Sequence, residues 1–531
     1  MARRVVESDV CIIGSGISAA MVAEKLADLG AASIVVVEAG DESNRAAERY
    51  ALRRRYLMYG ETPWRNDHLD GYEVDGIQSR SMQVGGLAMH WGGVTPRFSP
   101  EDFRVRSLYG VGHDWPISYE ELDPWYQEAE VRLGVAGEQG PPELDPRGAP
   151  FPQAAIPLSY NLELLRGWTD KAGIPMWSQP SAKNSVPYRG RPACCRNDTC
   201  FPVCPIGAKY SPDHSWDPLR SSGRVTLIPR TVVRRLEVEG PGDRVSRAVA
   251  VTRDGGTETE FRARVFVVAA GYVWSSHLLL LSKSSRFPDG LANRSGLVGK
   301  FVGGHRNVGG FVSLPLRLYP GINEQHSLVS KKFMRTPRGP RYLRHDLRVW
   351  ESAAGREPRL GDAAGKLLLG DELLADWRRR ATTGAARVRA YYDVIPDRES
   401  AVTLDPAKRT PWNDPLPRLS LRDDPVSAEL RAPSEAAIRQ LFETMAKAGD
   451  GTVLSTRSDS FQDHPAGGCR MGSDPAQSVT DSWGRTHDHE NLFVVGAPTC
   501  VSMGCANGTL TFSALSLRSA QEIGKDLSSR G

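Results

Sequence analysis

The fold is decided by the stretch Asp9-Val10-Cys11-Ile12-Ile13-Gly14-Ser15-Gly16-Ile17-Ser18-Ala19-Ala20. A short apolar run enters a turn with two glycines, and a helical pattern follows at once. Gly14 allows the tight turn, Gly16 lets the backbone approach a pyrophosphate, and small Ala19 lets the helix pack close to the strand. The free N–H groups at the helix N-terminus carry a partial positive charge that attracts phosphate. The stretch therefore predicts a dinucleotide-binding turn.

Glu38 ends the second apolar run, Ile34-Val35-Val36-Val37, and lies 24 residues after Gly14. An acid at this place accepts hydrogen bonds from a ribose diol. The glycine pattern on its own is also that of an ordinary strand–helix turn without a ligand. Strand, turn, helix, strand and acid occur here in the order that a Rossmann domain requires, so we favour the dinucleotide site.

The composition excludes several classes of protein. The chain has 531 residues, enough for two or more domains, and its net charge of +4 predicts no nucleic-acid partner. The basic clusters Arg53-Arg54-Arg55 and Arg378-Arg379-Arg380 are interpreted as solvated faces. No apolar run is long enough to span a bilayer, so we predict no direct membrane insertion. Because the first strand starts within about ten residues, without an export signal, the predicted location is the cytoplasm, with export by a partner left open.

Two N-terminal segments carry local signals. Ser43 to Tyr50 is polar with a helical pattern, and a loop is predicted from there to Asp75. Ser118, with Glu121 three residues later, forms a capping-box pattern and predicts a helix start.

The strands that should complete the nucleotide domain lie far along the sequence. Arg264 to Gly271 is typical of a buried strand that ends in a glycine turn, and so is Asn491 to Gly496. Thr509 to Gly524 has the period of a closing helix. The nucleotide domain is thus predicted to be assembled from separated pieces.

Between these pieces the pattern changes to alternating strands and polar loops. Val308 to Leu314, Arg387 to Ile395 and Ala401 to Leu404 predict a second, antiparallel sheet. Lys331 to Arg344 and Ala353 to Asp362 are candidate mobile loops. We predict an α/β fold, in which a Rossmann-type domain carries an inserted α+β substrate domain built on the antiparallel sheet. The predicted boundaries are residues 1–160 with 211–304 and 456–531 for the first domain, and 161–210 with 305–455 for the second.

Four of the eight cysteines, Cys194, Cys195, Cys200 and Cys204, lie within eleven residues. In a chain predicted to be cytosolic, such a cluster favours metal or redox chemistry over a disulfide framework. Thiolates at short spacing followed by Pro205 are typical of iron–sulfur loops, because short turns let the sulfurs converge. A structural zinc, a disulfide and thiols without a function are the alternatives.

A second glycine-rich stretch, Val84 to Gly93, contains Gly85, Gly86 and His90. Its four glycines indicate backbone pressed against something flat or bulky. His90 is expected either to pack against that group or to be bonded to it. The alternative is a buried, hydrogen-bonded histidine.

The motifs together resemble those of the glucose–methanol–choline (GMC) oxidoreductases, FAD enzymes that oxidise alcohols. The resemblance covers nearly the whole chain and is weakest from Leu314 to Arg387. It rests on the first turn, on Val84 to Phe98, on His464 to Gly472 and on Asn491 to Leu515. Within the family the chain is most similar to the flavoprotein subunits of bacterial gluconate, fructose and glucose dehydrogenases, and around Gly85 to Phe98 it is similar to pyranose oxidases.

The resemblance implies a catalytic pair. His464, which opens His464-Pro465-Ala466-Gly467-Gly468-Cys469-Arg470-Met471-Gly472, stands at the position of the family's catalytic histidine. Asn507 stands at the position of its partner, which is histidine or asparagine. Alcohol oxidation by flavin needs a base for the hydroxyl proton, and neutral histidine suits the task because its ordinary pKa lies near working pH. Asn507 is then expected to hold the substrate hydroxyl.

FAD is the cofactor that the resemblance implies. The residues expected to bind it are Gly14, Gly16, Ala19, Glu38, Gly85, Gly86, His90, Gly271, Gly496 and Thr509. The helix that starts near Thr509 is expected to point its N-terminus at the flavin and stabilise the reduced anion. In pyranose oxidases the histidine at the position of His90 is bonded to the flavin, and in the dehydrogenase subunits it is not; we expect non-covalent packing.

The dehydrogenase subunits also imply a 3Fe–4S cluster, with Cys194, Cys195, Cys200 and Cys204 as the ligands here. Arg196 to Thr199 departs from the asparagine-rich insert of those proteins. With a cluster, electrons would pass outward from the flavin to an acceptor.

We predict an FAD-dependent oxidoreductase that oxidises a CH–OH group of a sugar, glycoside or polyol by hydride transfer to flavin N5, with His464 as base. The electron acceptor is a protein, a quinone or oxygen, and a small partner subunit is compatible with this assignment. One alternative is an oxygen-using oxidase of a glycoside C3 or an aminoglycoside 6′ alcohol. A second is a non-catalytic flavoprotein, against which the pairing of His464 with Asn507 argues.

Overall fold

The computed structural model describes residues 2–31, 33–42, 48–61, 81–196, 200–201, 203–319, 326–335, 343–352, 360–362 and 364–529. The helices of this part of the chain are α1 (Ile17–Asp28), α2 (Arg49–Tyr59), α3 (Val105–Tyr109), α4 (Tyr119–Leu133), α5 (Tyr160–Lys171), α6 (Asp213–Ser221), α7 (Gly271–Leu281), α8 (Gly370–Thr382), α9 (Pro425–Ala448) and α10 (Thr509–Ser529).

The strands of the same residues form two large sheets and two ribbons. They are β1 (Ala2–Ile13), β2 (Ile34–Val37), β3 (Ala136–Gly137), β4 (Gln153–Ala154), β5 (Trp177–Ser178), β6 (Val225–Ile228), β7 (Thr231–Val238), β8 (Val245–Thr252), β9 (Thr257–Val268), β10 (Gly303–Leu314), β11 (Leu328–Ser330), β12 (Leu347–Ser352), β13 (Gly384–Tyr392), β14 (Ala401–Arg409), β15 (Pro415–Ser420), β16 (Thr452–Ser458), β17 (Asp463–Ala466) and β18 (Leu492–Val494).

The first sheet is the Rossmann-type sheet that the N-terminal turn predicts. Its order is β6-β2-β1-β9-β8-β7, with β18 also paired to β9. The pairs among β6, β2, β1, β9 and β18 are parallel, and β7 and β8 add an antiparallel edge. β8 pairs the N-terminal half of β9 and β18 its C-terminal end, so both strands lie on the same side of β9. The three separated segments predicted for this sheet are therefore brought together.

Buried apolar side chains hold the first sheet and its helices together. All four residues of β2 are buried, as expected for a parallel strand covered on both faces. α1 and α10 pack against each other on one face of the sheet, and the predicted face of α10 is fully buried at Leu510, Ala514 and Leu517. The capping box of Ser118 and Glu121 is present at the start of α4, as predicted.

The second sheet is antiparallel, in the order β16-β10-β13-β12-β11-β5, and β17 pairs with the start of β10. One face packs on α5 and α9 through a core that includes Leu162, Phe442, Val308, Val349 and Val388. Because side chains alternate along a strand, the intervening residues of β10, β12 and β13 lie on the opposite face. Tyr391, on that face, contacts Asp463 and His464 of β17.

The structure contradicts one prediction about this region and the two ends of another. Ala401 to Leu404 belongs to β14, which pairs only with β15 among the described strands and packs on α7 rather than joining the second sheet. Lys331 and Arg344 bound a predicted mobile loop, yet both are buried and ion-paired, Lys331 with Asp145 at 2.6 Å. The sequence of this segment is basic and contains proline, and it does not show that the buried acidic partners, Asp145 and Asp102, come from distant parts of the chain. Residues 336–342 and 353–359 of the predicted loops lie outside the described residues.

The segment after Glu48 also differs from its prediction. The predicted helix from Ser43 lies in part outside the described residues, and α2 occupies the start of the predicted loop. Arg53, interpreted as part of a solvated face, is buried, and its Nη1 donates to the carbonyl of Phe201. Arg54 and Arg55 are exposed as predicted. No helix in the described residues is long and apolar enough to cross a membrane.

Candidate active site

The predicted dinucleotide turn joins β1 to α1. Gly14 has φ of +96°, and a Cβ on it would lie 2.7 Å from the carbonyl oxygen of Ala269, so this position requires glycine. A Cβ on Gly16 would meet no atom within 4 Å, so the chain leaves open space where a pyrophosphate is predicted to lie. Ala19 is fully buried, as expected where the helix packs close to the sheet.

Glu38 lies at the end of β2 and is buried beside this turn. Its carboxylate accepts hydrogen bonds from the backbone N–H and hydroxyl of Ser15, at 3.0 and 2.7 Å, and from the N–H of Gly40 at 2.8 Å. Burial raises the pKa of Glu38, and these hydrogen bonds oppose that rise. The acid thus closes the glycine turn in this structure, at the place predicted for a ribose.

The other predicted cofactor residues surround the same turn. The N–H of Gly85 donates to the Ser15 hydroxyl at 3.1 Å, and a Cβ on Gly86 would lie 3.3 Å from the Cα of Gly16. Gly271 begins α7, directly after β9, and its Cβ position is open. Gly496 follows β18 and lies against Ser18 at the start of α1. These placements, the open space at Gly16 above all, fit an FAD molecule lying along the ends of the parallel strands.

His90 ends the one-turn helix Gly86–Met89, close to the buried Lys209. Burial and that positive charge lower the pKa of His90 to about 4, so the ring is neutral at working pH. The Nζ of Lys209 donates to the carbonyl of Trp91 and, at 2.8 Å, to that of Cys200. Lys209 therefore links, through these two hydrogen bonds, the segment around His90, which is predicted to contact the flavin, to the segment that carries the cysteines.

Asn507 and His464 meet directly. The Nδ2 of Asn507 lies 2.8 Å from the Nε2 of His464, and its Oδ1 is buried without a hydrogen-bond partner in the described residues. Thr509 begins α10 two residues later, as predicted, so the free N–H groups of this helix lie beside the pair. An unsatisfied buried amide oxygen is costly, which indicates that a ligand donates to it.

His464 is held in an unusual backbone conformation on β17. Its φ is +49°, the left-handed region that residues other than glycine rarely adopt. β17 pairs with β10, and a Cβ on Gly304 would lie 2.1 Å from the carbonyl oxygen of Asp463, so only glycine permits this approach. The strained position persists because the pairing enforces it, and strain of this kind concentrates at active sites.

His305, on β10, is the direct support of His464. Its Nε2 lies 2.9 Å from the Nδ1 of His464, and its own Nδ1 lies 3.2 Å from the carbonyl oxygen of Gly504. A carbonyl only accepts, so His305 carries its proton on Nδ1 and its Nε2 accepts from His464. The Nε2 of His464 is then unprotonated, and it accepts the hydrogen bond from Asn507. This chain of donors fixes the tautomer that a base requires.

Charged groups around the pair keep His464 neutral. Burial lowers the pKa of His464 to about 4, with Arg389 and Arg348 lowering it and Asp463 opposing them. The side chain of His464 is still 30% exposed, so it is accessible from solvent. The pKa of His305 lies well below its ordinary value through burial and these neighbours. Both rings are therefore neutral at working pH.

The four clustered cysteines differ in exposure. Cys200 and Cys204 are buried, Cys194 is half-buried and Cys195 is exposed. All eight cysteines lie in the described part of the chain and none forms a disulfide. Cys194, Cys200 and Cys204 are close enough to interact electrostatically, and burial raises the pKa of Cys194. Among the described residues, which omit 197–199 and 202 of this loop, no group of three or more histidine, cysteine or acidic side chains is placed to hold a metal ion.

Several site residues were not predicted from the sequence. They are His305, Asp463, Arg348, Arg389 and Tyr391. Arg348, Arg389 and Tyr391 reach the site through the pairing of distant strands in the second sheet, and His305 through the pairing of β10 with β17. Asp463 directly precedes His464 on β17. The glycine pair before His305 was the one available signal, because it marks a close approach of backbone.

Comparison with known proteins agrees with this geometry. The family profile of the GMC oxidoreductases matches residues 396–516. The chain is 32% identical to the fructose dehydrogenase large subunit of Gluconobacter japonicus over 558 aligned residues, which cover 99% of both chains. It is also 32% identical to paromamine 6'-oxidase of Streptomyces fradiae, over 98% of this chain and 92% of that protein.

Among solved structures, formate oxidase of Aspergillus oryzae, from a study of FAD modification, superposes with a TM-score of 0.62 at 15% identity. The match covers 99% of this chain and 100% of that one, and at this identity it shows the fold alone. The fold and the site define a flavin-dependent oxidoreductase of alcohols. The chain belongs to the GMC oxidoreductase family, and FAD is its cofactor.

Proposed function

We propose that this enzyme oxidises a CH–OH group of a sugar, glycoside or polyol, with His464 as the base and Asn507 as its partner. The observation that carries the proposal is the meeting of His464 Nε2 with an Asn507 amide whose buried oxygen has no partner in the described residues. The substrate class follows the named substrates of the relatives, one of which acts on fructose and another on paromamine.

Residues of this chain position the substrate hydroxyl and accept its proton. A hydroxyl oxygen placed between the two side chains accepts from Asn507 Nδ2, while its proton points at the unprotonated Nε2 of His464. Because the pKa of His464 is about 4, the base is free at neutral pH. When bound, FAD supplies the acceptor for the hydride that leaves the alcohol carbon.

The protonated state of His464 is then stabilised from behind. Its Nδ1–H donates to His305 at 2.9 Å, and the carboxylate of Asp463 lies 3.6 Å from the same nitrogen. A negative charge at that distance favours the imidazolium. The N–H groups at the start of α10 add a positive partial charge beside the pair, which favours negative charge developing nearby.

The residues proposed to hold FAD are those that line the strand ends. Gly14, Gly16 and Ala19 form the pyrophosphate turn, and Glu38 lies at the ribose position. Gly85, Gly86, Gly271, Gly496 and Thr509 contribute close backbone approaches. We propose that His90 packs against the flavin without a covalent bond, so that acid precipitation releases the flavin and leaves a colourless pellet.

Anaerobic mixing of the holoenzyme with single substrates tests this function. We expect at least one of D-fructose, D-glucose, D-gluconate, D-glucitol and paromamine to abolish the absorption of oxidised flavin, with a rate that depends on the concentration of that compound. Flavin that dithionite reduces but none of these alcohols reduces would contradict the proposal and favour a non-catalytic flavoprotein.

The route by which electrons leave is a separate part of the proposal. The dehydrogenase reading requires a 3Fe–4S cluster on Cys194, Cys195, Cys200 and Cys204, and the relation to an oxidase supports oxygen as the alternative acceptor. With a cluster, Cys200→Ser and Cys204→Ser should lose iron while substrate still reduces the flavin, and turnover with a large acceptor should fail. Cys11→Ser is the matched control, because that buried thiol lies in β1.

Protein prepared without air that contains neither iron nor acid-labile sulfide would contradict the cluster. Oxygen consumption equal to substrate oxidised would then establish the oxidase alternative. The small partner subunit and the cytoplasmic location remain proposals that purification from the native host would test.

A further inference from the structure

The second sheet presents two arginines toward the catalytic pair. Arg348 on β12 and Arg389 on β13 face each other in register. Their neighbours Val349 and Val388 lie in the core on the other face, so both arginines lie on the face that carries Tyr391. The Tyr391 ring centroid is 5.6 Å from that of His464, and the guanidinium of Arg389 lies 4.2 Å from the same Tyr391 centroid.

Arg389 is held in place by aromatic rings, and in the part of the chain that the structure describes it forms no ion pair. Its guanidinium lies over Tyr391 and, at 5.1 Å, over Trp350. Its Nε is buried, and no hydrogen bond or ion pair reaches this side chain in the described residues. Stacking holds the plane of a guanidinium and leaves its N–H edge available, which is the geometry that binds oxyanions.

The hydrogen-bond donors of the Arg348 guanidinium are only partly satisfied. Its Nε donates to Asp346 at 2.7 Å, while its Nη2 is buried without a hydrogen-bond partner in the described residues. Asp346 also accepts from the backbone N–H of Tyr391 at 2.6 Å, which fixes this carboxylate against the sheet. Asp346 therefore offsets one of the two guanidinium charges, and the charge of Arg389 remains.

Asp463 does not supply the missing partner. One of its carboxylate oxygens accepts from the Tyr391 hydroxyl at 3.0 Å, and the other accepts from the backbone N–H of His464. Burial lowers the pKa of Arg389, and Arg348 lowers it further, so a bound anion would relieve an unfavourable pair of charges. Among the described residues, Asp346 is therefore the one carboxylate that forms an ion pair with either of these two arginines.

We propose that Arg389, together with the Nη2 of Arg348, binds an oxyanion of the substrate, so that the alcohol oxidised at His464 is a hydroxy acid or sugar acid, or a sugar phosphate. This inference rests on the proposed function of His464. The Arg389 guanidinium and the His464 ring both lie near the Tyr391 ring, at 4.2 and 5.6 Å from its centroid. The separation of Arg389 from His464 therefore does not exceed the sum of these two distances. One small molecule can therefore span both groups. A substrate amine would be repelled by the same charge, which disfavours an aminoglycoside.

The first test compares alcohols that differ in charge. D-glucose, D-gluconate, D-glucose 6-phosphate and D-glucosamine are mixed without oxygen with the holoenzyme, and flavin reduction is followed. We expect an acidic compound to be oxidised, and so to reduce the flavin, faster than the neutral sugar does, by about tenfold or more in the second-order rate constant, and the amine to be slowest. Faster reaction of the neutral or amino sugar would overturn the proposal while leaving the proposed function intact.

The second test removes the charge. Arg389→Met should lose about 10- to 100-fold more in the second-order rate constant for the acidic compound than in that for the neutral one, because a hydrogen bond to a charged group is lost only with the acid. Arg389→Lys should fall between the two. Arg387→Met is the matched control, since Arg387 lies on the same strand, over the same Trp350 ring, but is exposed. An unchanged acid rate in Arg389→Met would overturn the proposal.

A binding measurement keeps the proposal testable without turnover. Inorganic phosphate should perturb the flavin absorption of the wild type saturably at constant ionic strength, and should not perturb that of Arg389→Met. If none of the alcohols reduces the flavin, the proposed function fails and phosphate binding alone decides the anion site. A flavin lost, or shifted in midpoint potential, in ligand-free Arg389→Met would show that Arg389 serves the cofactor and would overturn the proposal.

Discussion

At the scale of single residues, the chemistry depends on which nitrogen of His464 carries a proton. The run of donors from His305 to Asn507 puts that proton on Nδ1 and leaves Nε2 free to accept. Histidine at its ordinary pKa of about 6.5 would be half-protonated near the lower end of physiological pH. Burial and the two arginines prevent this, since they lower the pKa of His464 to about 4.

His305 is therefore expected to act as a positioning residue. His305→Ala should slow flavin reduction by roughly 10- to 100-fold, by analogy with the partners that orient metal-binding histidines, with little change in substrate dissociation constant. His305→Gln should recover part of the rate, because its amide oxygen can accept from His464 Nδ1–H. Stopped-flow reduction at several substrate concentrations separates rate from binding. His326→Ala is the control, because it removes a buried imidazole that is hydrogen-bonded to Ser178 rather than to His464.

Equal losses in the alanine and glutamine variants would show that His305 only fills space. In the wild type the reduction rate should stay level as the pH falls from 8 to about 5.5. The reason is the depressed pKa: protonation of the base begins only as the pH approaches about 4. A limb centred near 6.5 would contradict the environment described for His464.

At the scale of elements, the two glycines of the first turn serve different purposes. Gly14 has a positive φ and no room for a Cβ, whereas the Cβ position of Gly16 is open. Gly14→Ala should thus destabilise the apoprotein by about 1–3 kcal/mol, the cost of a strained backbone position. Gly16→Leu should leave the thermal midpoint of the apoprotein nearly unchanged but abolish FAD binding. Thermal unfolding with and without added FAD measures both, and stoichiometric flavin in Gly16→Leu would contradict the turn assignment.

Local patterns predicted the elements that depend on local causes. The first turn, the capping box at Ser118 and the apolar face of α10 follow from residues close in sequence, and the structure confirms them. The part of α2 after Tyr50 is predicted from the sequence to be a loop, whereas in the structure it is helical and its buried residues include Leu52 and Arg53. Its burial depends on the carbonyl of Phe201, which lies far along the chain.

The residues of the candidate site also fall into two groups, those that sequence motifs predict and those that only the tertiary structure brings together. His464 and Asn507 were found through motifs, and the structure brings them within hydrogen-bond distance. His305 and Arg389 could not be found, because the registers of β10 with β17 and of β12 with β13 are set by tertiary pairing. Periodicity shows which residues share a face of a strand, but not which strand that face meets.

At the scale of the whole molecule, buried charges join the two sheets. Arg344 is fully buried and pairs with Asp102 at 2.6 Å and with Asp393 at 3.1 Å. Asp102 also caps the turn at Ser99, and Asp393 directly follows β13. This pairing links the N-terminal part of the chain to the end of the strand that carries Arg389 and Tyr391.

Arg344→Met should therefore lower the free energy of unfolding by about 3–5 kcal/mol, because two buried carboxylates lose their partner. Arg379→Met is the control: Arg379 also pairs with an acid, Asp376, but its side chain is 73% exposed, so the loss should stay below about 1 kcal/mol. Denaturant unfolding of both variants measures the difference. Equal, small losses would show that the buried pair does not hold the sheets together.

The measurement that tests the account most directly is anaerobic flavin reduction in His464→Ala. The variant should bind FAD and substrate as the wild type does, and its reduction should be slower by about 10²- to 10⁴-fold, the usual contribution of a general base. Asn507→Ala should lose less, because the base remains. Reduction of His464→Ala at the wild-type rate across the pH range would contradict the assignment of His464 as the base.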